Sequence, residues 1–311
     1  MTECLIITPI AHEFVEEVER LTDGKIPVRG CRDEAELAEL YQGHRVLFGN
    51  PSIIASTLDR MSDVEWIQSS WAGVTPLIEH KRRDYILTGV KDVFGPQMSE
   101  YVFGYLLAHE LKILERKRRQ DCQEWYKYHS GMLEGRSIGI MGTGSIGRHI
   151  AETAHAFGLS VRGLSRTGAK ADHFDAVYDI EHIQSFLEGC HYLVSTLPKT
   201  PDTDGLLSAQ TLGKLPANAY FINVGRSNVI DDEALVRALE SGRLSGAVLD
   251  VFDEEPIPAD DPLWNAPNLL ITAHISAISH PLLLVPIFVE NYERFVQGKP
   301  LRHVVNFDAG Y

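Results

Sequence analysis

Short apolar runs alternate with stretches whose apolar residues recur every three or four positions, along almost the whole chain. Such runs read as strands buried on both faces, and the wider spacing as the helices that cover them. The pattern therefore predicts α/β architecture on parallel sheets. Before residue 90 the predicted strands are Leu5–Thr8, Ile26–Val28, Val46–Phe48, Trp66–Gln68 and Ile86–Leu87. A helix over His12–Leu21 sets Phe14, Val15, Val18 and Leu21 on one face. A second series of strands runs Ile138–Met141, Val161–Leu164, Ala176–Tyr178, Tyr192–Ser195, Tyr220–Val224, Ala247–Val251 and Leu269–Thr272. Among its helices, one spans Asp231–Ser241, opened by acidic residues and closed by Gly242; another lies around Pro281–Gln297. Between the two series, Met98–Arg119 reads as one long helix with a basic run at its C-terminus, where cations oppose the dipole favourably.

The second series opens on Ser137-Ile-Gly-Ile-Met-Gly-Thr-Gly-Ser-Ile-Gly147, a strand that runs into Gly142-x-Gly144-x-x-Gly147 and then into a helical pattern. Strand, turn and helix together make this a dinucleotide-binding fingerprint. Gly142 permits the tight turn, Gly144 lets the backbone approach a pyrophosphate, and Gly147 permits close helix–strand packing. Free N–H groups at the helix start favour the phosphates, so Thr143, Ser145 and Ile146 join the glycines as expected cofactor contacts. The motif starts far from the N-terminus, and the simplest layout inserts one domain within another. Residues 1–97 plus 279–311 form the substrate domain and 98–278 the nucleotide domain, linking helix 98–119 included. The expected fold is two Rossmann-like or flavodoxin-like domains.

Composition narrows the function. The net charge is −14, with 43 acidic against 29 basic residues, which argues against nucleic acid or an anionic membrane as partner. Any anion site must then concentrate local positive potential, and nearby arginines become informative. Cys4, Cys31, Cys122 and Cys190 are scattered with no CxxC spacing, which fits a reducing, cytoplasmic setting. The 13 histidines show no ligand spacing, and no metal is expected.

In open α/β sheets, ligands bind beyond the carboxyl ends of the strands. Tyr220–Val224 runs into Arg226. Ala247–Val251 carries Asp250 at its end, with Glu255 just beyond. Leu269–Thr272 runs into His274. Singly these are a surface arginine, a solvated acidic turn and a structural histidine. Jointly, behind a nucleotide motif, they combine a guanidinium, carboxylates and an imidazole, a set that can hold an anion and move a proton.

The segments Gly142–Gly147, Asn223-Val-Gly-Arg226, Leu249-Asp-Val-Phe-Asp-Glu-Glu-Pro256, Ile271-Thr-Ala-His274, Leu197-Pro-Lys-Thr-Pro-Asp-Thr203 and Ser70-Trp-Ala-Gly-Val74 together make a highly specific set. Through them nearly the whole chain resembles the D-2-hydroxyacid dehydrogenases, the NAD(P)-dependent family that includes glyoxylate/hydroxypyruvate reductases. The resemblance implies that Arg226 binds the substrate carboxylate and neighbouring carbonyl oxygen, that His274 passes the proton, and that Glu255 orients the imidazole. It further implies that Asp250 lies on the nicotinamide side, that Pro198 and Val224 contact the cofactor, and that backbone N–H groups of Trp71, Ala72 and Gly73 help hold the carboxylate. The expected substrate is a small 2-oxoacid, reduced to the D-2-hydroxyacid, and the expected assembly a homodimer, with the aromatic-rich Gln120–Tyr128 either joining the dimer contact or a neighbouring active site, or packing within its own subunit. Two departures stand out: Ala273 replaces the proline common before the histidine, and Trp71 stands where many members have glycine. The corepressor-type NAD(H)-binding proteins resemble the same family and keep similar residues, so a regulatory protein with little turnover is the alternative.

The second strand of the nucleotide domain ends in Ser165-Arg-Thr167, where an NAD enzyme usually places a carboxylate for the ribose 2′-hydroxyl. Without that carboxylate nothing here repels a 2′-phosphate, and Arg166 can bind it. The reading favours NADP(H), with NAD(H) possible if Arg166 only stacks on adenine.

Overall fold

A computed structural model describes residues 3–308. The chain divides into two compact units: one is made by the chain up to Val93 and from Ser279 onward, the other by Phe94–Ile278. Among the described residues no helix is long and apolar enough to cross a membrane.

The first unit holds β1 (Cys4–Ile7), β2 (Val28–Cys31), β3 (Val46–Gly49), β4 (Trp66–Ser69) and β5 (Ile86–Thr88), all parallel, in the order β2-β1-β3-β4-β5. Leu5, Leu47, Ile67 and Leu87 fill one face. On the other, Phe14 meets Phe48 edge-on at 5.4 Å, and Phe288 stacks on Phe48 at 4.7 Å and on Trp66 at 5.6 Å. Phe288 belongs to the helix Pro281–Val296, so the end of the chain completes the core begun by its start. The expected strand Ile26–Val28 lies instead at Val28–Cys31. Pro27 has no N–H to give a ladder, and β2 is an edge strand whose short Gly30 sits against the helix Ala11–Thr22.

The second unit holds β6 (Ser137–Met141), β7 (Ser160–Leu164), β8 (Ala176–Tyr178), β9 (Tyr192–Ser195), β10 (Ala219–Asn223), β11 (Leu244–Leu249) and β12 (Leu269–Ile271). They form one parallel sheet ordered β12-β11-β10-β9-β6-β7-β8. Strand order reverses between β6 and β9, which is where a doubly wound sheet opens its ligand crevice.

The single helix expected over 98–119 is two, Gly95–Glu110 and Ile113–Asp121, broken where Lys112 takes a left-handed conformation at φ 54°. The first is tied down at its end by buried Glu110, which accepts from the Tyr192 hydroxyl at 2.8 Å and pairs with Arg136 at 3.3 Å. The second buries no residue. It is held by ion pairs of Glu115 with Arg118 and Arg119 and of Lys117 with Asp121, so no apolar stripe keeps it in line with its predecessor. The Arg116 guanidinium donates to the Leu111 carbonyl at 2.8 Å and closes the break.

Candidate active site

The glycine loop follows β6 at the switch point. Gly142 adopts φ 107°, and a Cβ there would lie 2.5 Å from Thr196 Oγ1. At Gly147 a Cβ would come within 2.0 Å of the Gly142 carbonyl oxygen, so the helix Ser145–Ala156 can pack this closely only without a side chain. At Gly144 a Cβ would meet no protein atom within 4 Å. The space over Gly144 is open, and no side chain caps the helix that starts beside it. Uncapped N–H groups facing open space fit the pyrophosphate of a dinucleotide. Pro198 and Val224 follow the neighbouring strands β9 and β10, Val224 donating its N–H to the Ser195 carbonyl at 3.0 Å.

The end of β7 is arranged differently from a ribose-binding carboxylate. Ser165 Oγ accepts from the Gly168 N–H at 3.1 Å and so holds the turn. Arg166 and Thr167 line a cavity of about 400 Å³ together with Asp179, Ile180, Glu181 and Asp202. These carboxylates were missed in the sequence: Asp179 and Glu181 arrive because β8 ends beside β7, and Asp202 comes from the loop after β9. Asp179 contacts the His182 ring at 2.6 Å. That hydrogen bond holds the Asp179 carboxyl below its usual range and raises the His182 imidazole above its own.

The three strand ends beyond carry the remaining groups. Buried Asn223 closes the turn after β10: its side chain accepts from the Gly225 N–H at 3.1 Å and donates to the Arg226 carbonyl at 3.0 Å. The Arg226 guanidinium donates to the Gly225 carbonyl at 2.7 Å. Burial pushes it below its ordinary range while the charge of Glu255 opposes that shift; an arginine remains a cation throughout. Glu255 Oε1 accepts from the Phe252 N–H at 2.9 Å, and its Oε2 meets His274 Nδ1 at 2.9 Å. A carboxylate only accepts, so Nδ1 carries the proton in this contact and Nε2 is left for a ligand. Asp250 is fully buried. It accepts from Thr272 Oγ1 at 2.5 Å and from the N–H groups of Ile275 and Ser276, each at 2.8 Å. Its carboxylate thus organises the loop that bears His274, which sits at φ 55°. Sequence reasoning placed Asp250 near the nicotinamide and did not see this task.

In the first unit the loop after β4 carries Trp71, Ala72 and Gly73. The Trp71 N–H is spent on Ser69 Oγ at 3.0 Å, whereas no hydrogen bond engages the N–H of Ala72 or Gly73 among the described residues. Ser279 Oγ donates to the Ser70 carbonyl at 2.6 Å and steadies the same loop.

The sequence model of a family described as "D-isomer specific 2-hydroxyacid dehydrogenase, NAD binding domain" matches residues 103–276. A glyoxylate/hydroxypyruvate reductase A of Serratia proteamaculans is 35% identical over 215 residues, 69% of each chain. The crystal structure of a D-isomer specific 2-hydroxyacid dehydrogenase family protein from Aeromonas salmonicida superposes with a TM-score of 0.92 at 37% identity, covering 99% of this chain and 100% of that one. An NADPH-dependent glyoxylate/hydroxypyruvate reductase from Sinorhizobium meliloti, solved with NADP and sulfate, matches with a TM-score of 0.85 at 29% identity over the full length of both. With glycine loop, guanidinium and imidazole–carboxylate pair ranged along the carboxyl ends of one doubly wound sheet, this chain belongs to the D-isomer specific 2-hydroxyacid dehydrogenases, an NAD(P)-dependent family of oxidoreductases.

Proposed function

We propose that the protein reduces a small 2-oxoacid of the glyoxylate or hydroxypyruvate type to the D-2-hydroxyacid, with NADPH preferred over NADH. The observation that carries the reading is the His274 Nδ1–Glu255 Oε2 contact of 2.9 Å, which commits one ring nitrogen and frees the other. Arg226 binds the substrate carboxylate and the adjacent carbonyl oxygen through its forked donors. A reduced nicotinamide, when bound over the glycine loop, would supply the hydride. His274 delivers the proton from Nε2 to the carbonyl oxygen, and Glu255 stabilises the imidazolium beforehand. The ring then regains its proton from water, and the steps run in reverse for oxidation. Arg166 and the missing carboxylate at Ser165 support the preference for a 2′-phosphate, as does the NADP held by the Sinorhizobium relative. We also propose a homodimer, for which exposed Leu114, Trp125, Tyr128 and Met132 offer apolar surface.

The test follows NADPH and NADH absorbance with purified protein and a panel of glyoxylate, hydroxypyruvate, pyruvate and bulkier 2-oxoacids. Rapid NADPH oxidation with the small members, lost in His274→Gln while cofactor binding persists, is the expected result. Binding of NADPH without turnover on any member overturns the reading.

A further inference from the structure

The helix Gly95–Glu110 grips the loop that carries His274 at both ends. Gln97 and Tyr101 stand one turn apart, i and i+4, and so share a face of that helix. Gln97 holds Ile278 twice: its Nε2 donates to the Ile278 carbonyl at 3.1 Å, and its Oε1 accepts the Ile278 N–H at 3.0 Å. At the other end the Tyr101 hydroxyl meets Thr272 Oγ1 at 2.6 Å. Thr272 has a single hydroxyl proton, which goes to the Asp250 carboxylate at 2.5 Å, so in that pair Tyr101 donates. The result is a directed chain, Tyr101 to Thr272 to Asp250, and Asp250 in turn accepts the N–H groups of Ile275 and Ser276. Between these anchors His274 holds a positive φ, a conformation that a residue with a Cβ keeps only when its surroundings enforce it.

We propose that Gln97 and Tyr101 are positioning residues for the proton donor, acting on His274 through Ile278 and through Thr272–Asp250. The proposal rests on the reading of His274 as that donor. Hydride and proton transfer tolerate little misplacement, and a shift of about 1 Å can cost ~100-fold in rate, so a partial loosening should cost about tenfold.

Two arms test it on the full-length protein. Without cofactor, hydrogen exchange at residues 274–276 reads the brace directly. Thr272→Val, Tyr101→Phe and Gln97→Ala should speed it, and Thr272→Ser should restore it. With NADPH and glyoxylate, Thr272→Val should lower kcat about tenfold at little change in NADPH affinity, Thr272→Ser should recover it, and Tyr101→Phe should add nothing in the Thr272→Val background. Unchanged exchange in all three variants overturns the brace. Faster exchange with wild-type kcat overturns the positioning role, as does full additivity of Tyr101→Phe and Thr272→Val. A wild-type protein that turns over no 2-oxoacid sinks the functional reading instead, and the exchange arm alone then decides the brace.

Discussion

Replacing Glu255 by Gln changes few atoms and should cost far more than its size implies. Glu255 presents acceptors in two directions, toward the Phe252 N–H and toward His274 Nδ1, both at 2.9 Å. A glutamine has one acceptor and one donor end. If its oxygen keeps Phe252, its amide N–H₂ confronts the Nδ1 proton; if it turns, it confronts the Phe252 N–H. A neutral ring escapes by moving its proton to Nε2, but an imidazolium carries protons on both nitrogens, so for the charged form one donor–donor conflict is unavoidable. The side chains of His274 and Glu255 are 48% and 37% exposed, so water relieves part of it, and the low end of the range for an unsatisfied group applies, about 1 kcal/mol. The lost charge adds a second cost. A unit pair at this separation is worth about 1.4 kcal/mol at the dielectric of water and several times that in a protein interior; half-exposure keeps it near 1–2 kcal/mol. Together they come to about 2–3 kcal/mol against an imidazolium that must form before proton transfer, or ~30–150-fold in kcat. Steady-state kinetics with NADPH and glyoxylate measures this, with the cofactor dissociation constant taken separately. Glu255→Ala, which leaves room for water in both directions, should be no worse than Glu255→Gln. A Gln variant within threefold of wild-type kcat, or one changed only in KM, refutes the reasoning.

Arg226→Ala should raise KM and lower kcat together, with kcat/KM down by roughly 10²–10³-fold, because a half-buried charge-assisted fork is lost in ground and transition states alike; near-unchanged kinetics would remove Arg226 from the site. Arg166→Ala should weaken NADPH by ~10–100-fold and NADH little, as read by fluorescence titration, and equal losses would argue that Arg166 serves the adenine instead. Asp179→Asn keeps the cap that Oδ1 gives to the His182 N–H at 3.0 Å while removing one negative charge from the cavity beside Arg166. NADPH affinity should therefore improve by about 2–5-fold with NADH unmoved, and no change would place Asp179 away from the phosphate. Gly144→Ala should melt like the wild type and bind cofactor poorly, because its Cβ enters open space. Gly147→Ala should lose several degrees in melting temperature, because its Cβ strikes a backbone oxygen at 2.0 Å; the opposite pattern would undo the assignment of the glycine roles.

What could be read in the chain beforehand was local. β6, the glycine loop and the following helix are contiguous, so their periodicity and spacing announce them. Arg226, Asp250 and His274 stand just past three apolar runs, and one topological rule about strand ends places them on the same side of a sheet. The pieces that stayed hidden depend on partners far away in sequence. Nothing in Met98–Arg119 shows that Glu110 is anchored by Tyr192 and Arg136, and that anchoring marks where the helix stops. Pro27 could have moved β2 toward Cys31, since a missing N–H is visible in sequence, but the apolar Ile26 outweighed it in the pattern. Asp179 reaches the cavity of Arg166 only because β7 and β8 pair with Leu164 opposite Tyr178, a register no single strand encodes. The bracing of His274 lies furthest out of reach: Gln97 and Tyr101 are ordinary polar positions on their helix, and their partners come about 170 to 180 residues later. A histidine can be recognised as a candidate acid from its place after a strand, but its φ of 55° and the groups that impose it belong to the assembled unit. Chemistry was thus legible where neighbours along the chain supply it, and the precision of that chemistry is set by neighbours the chain brings together only on folding.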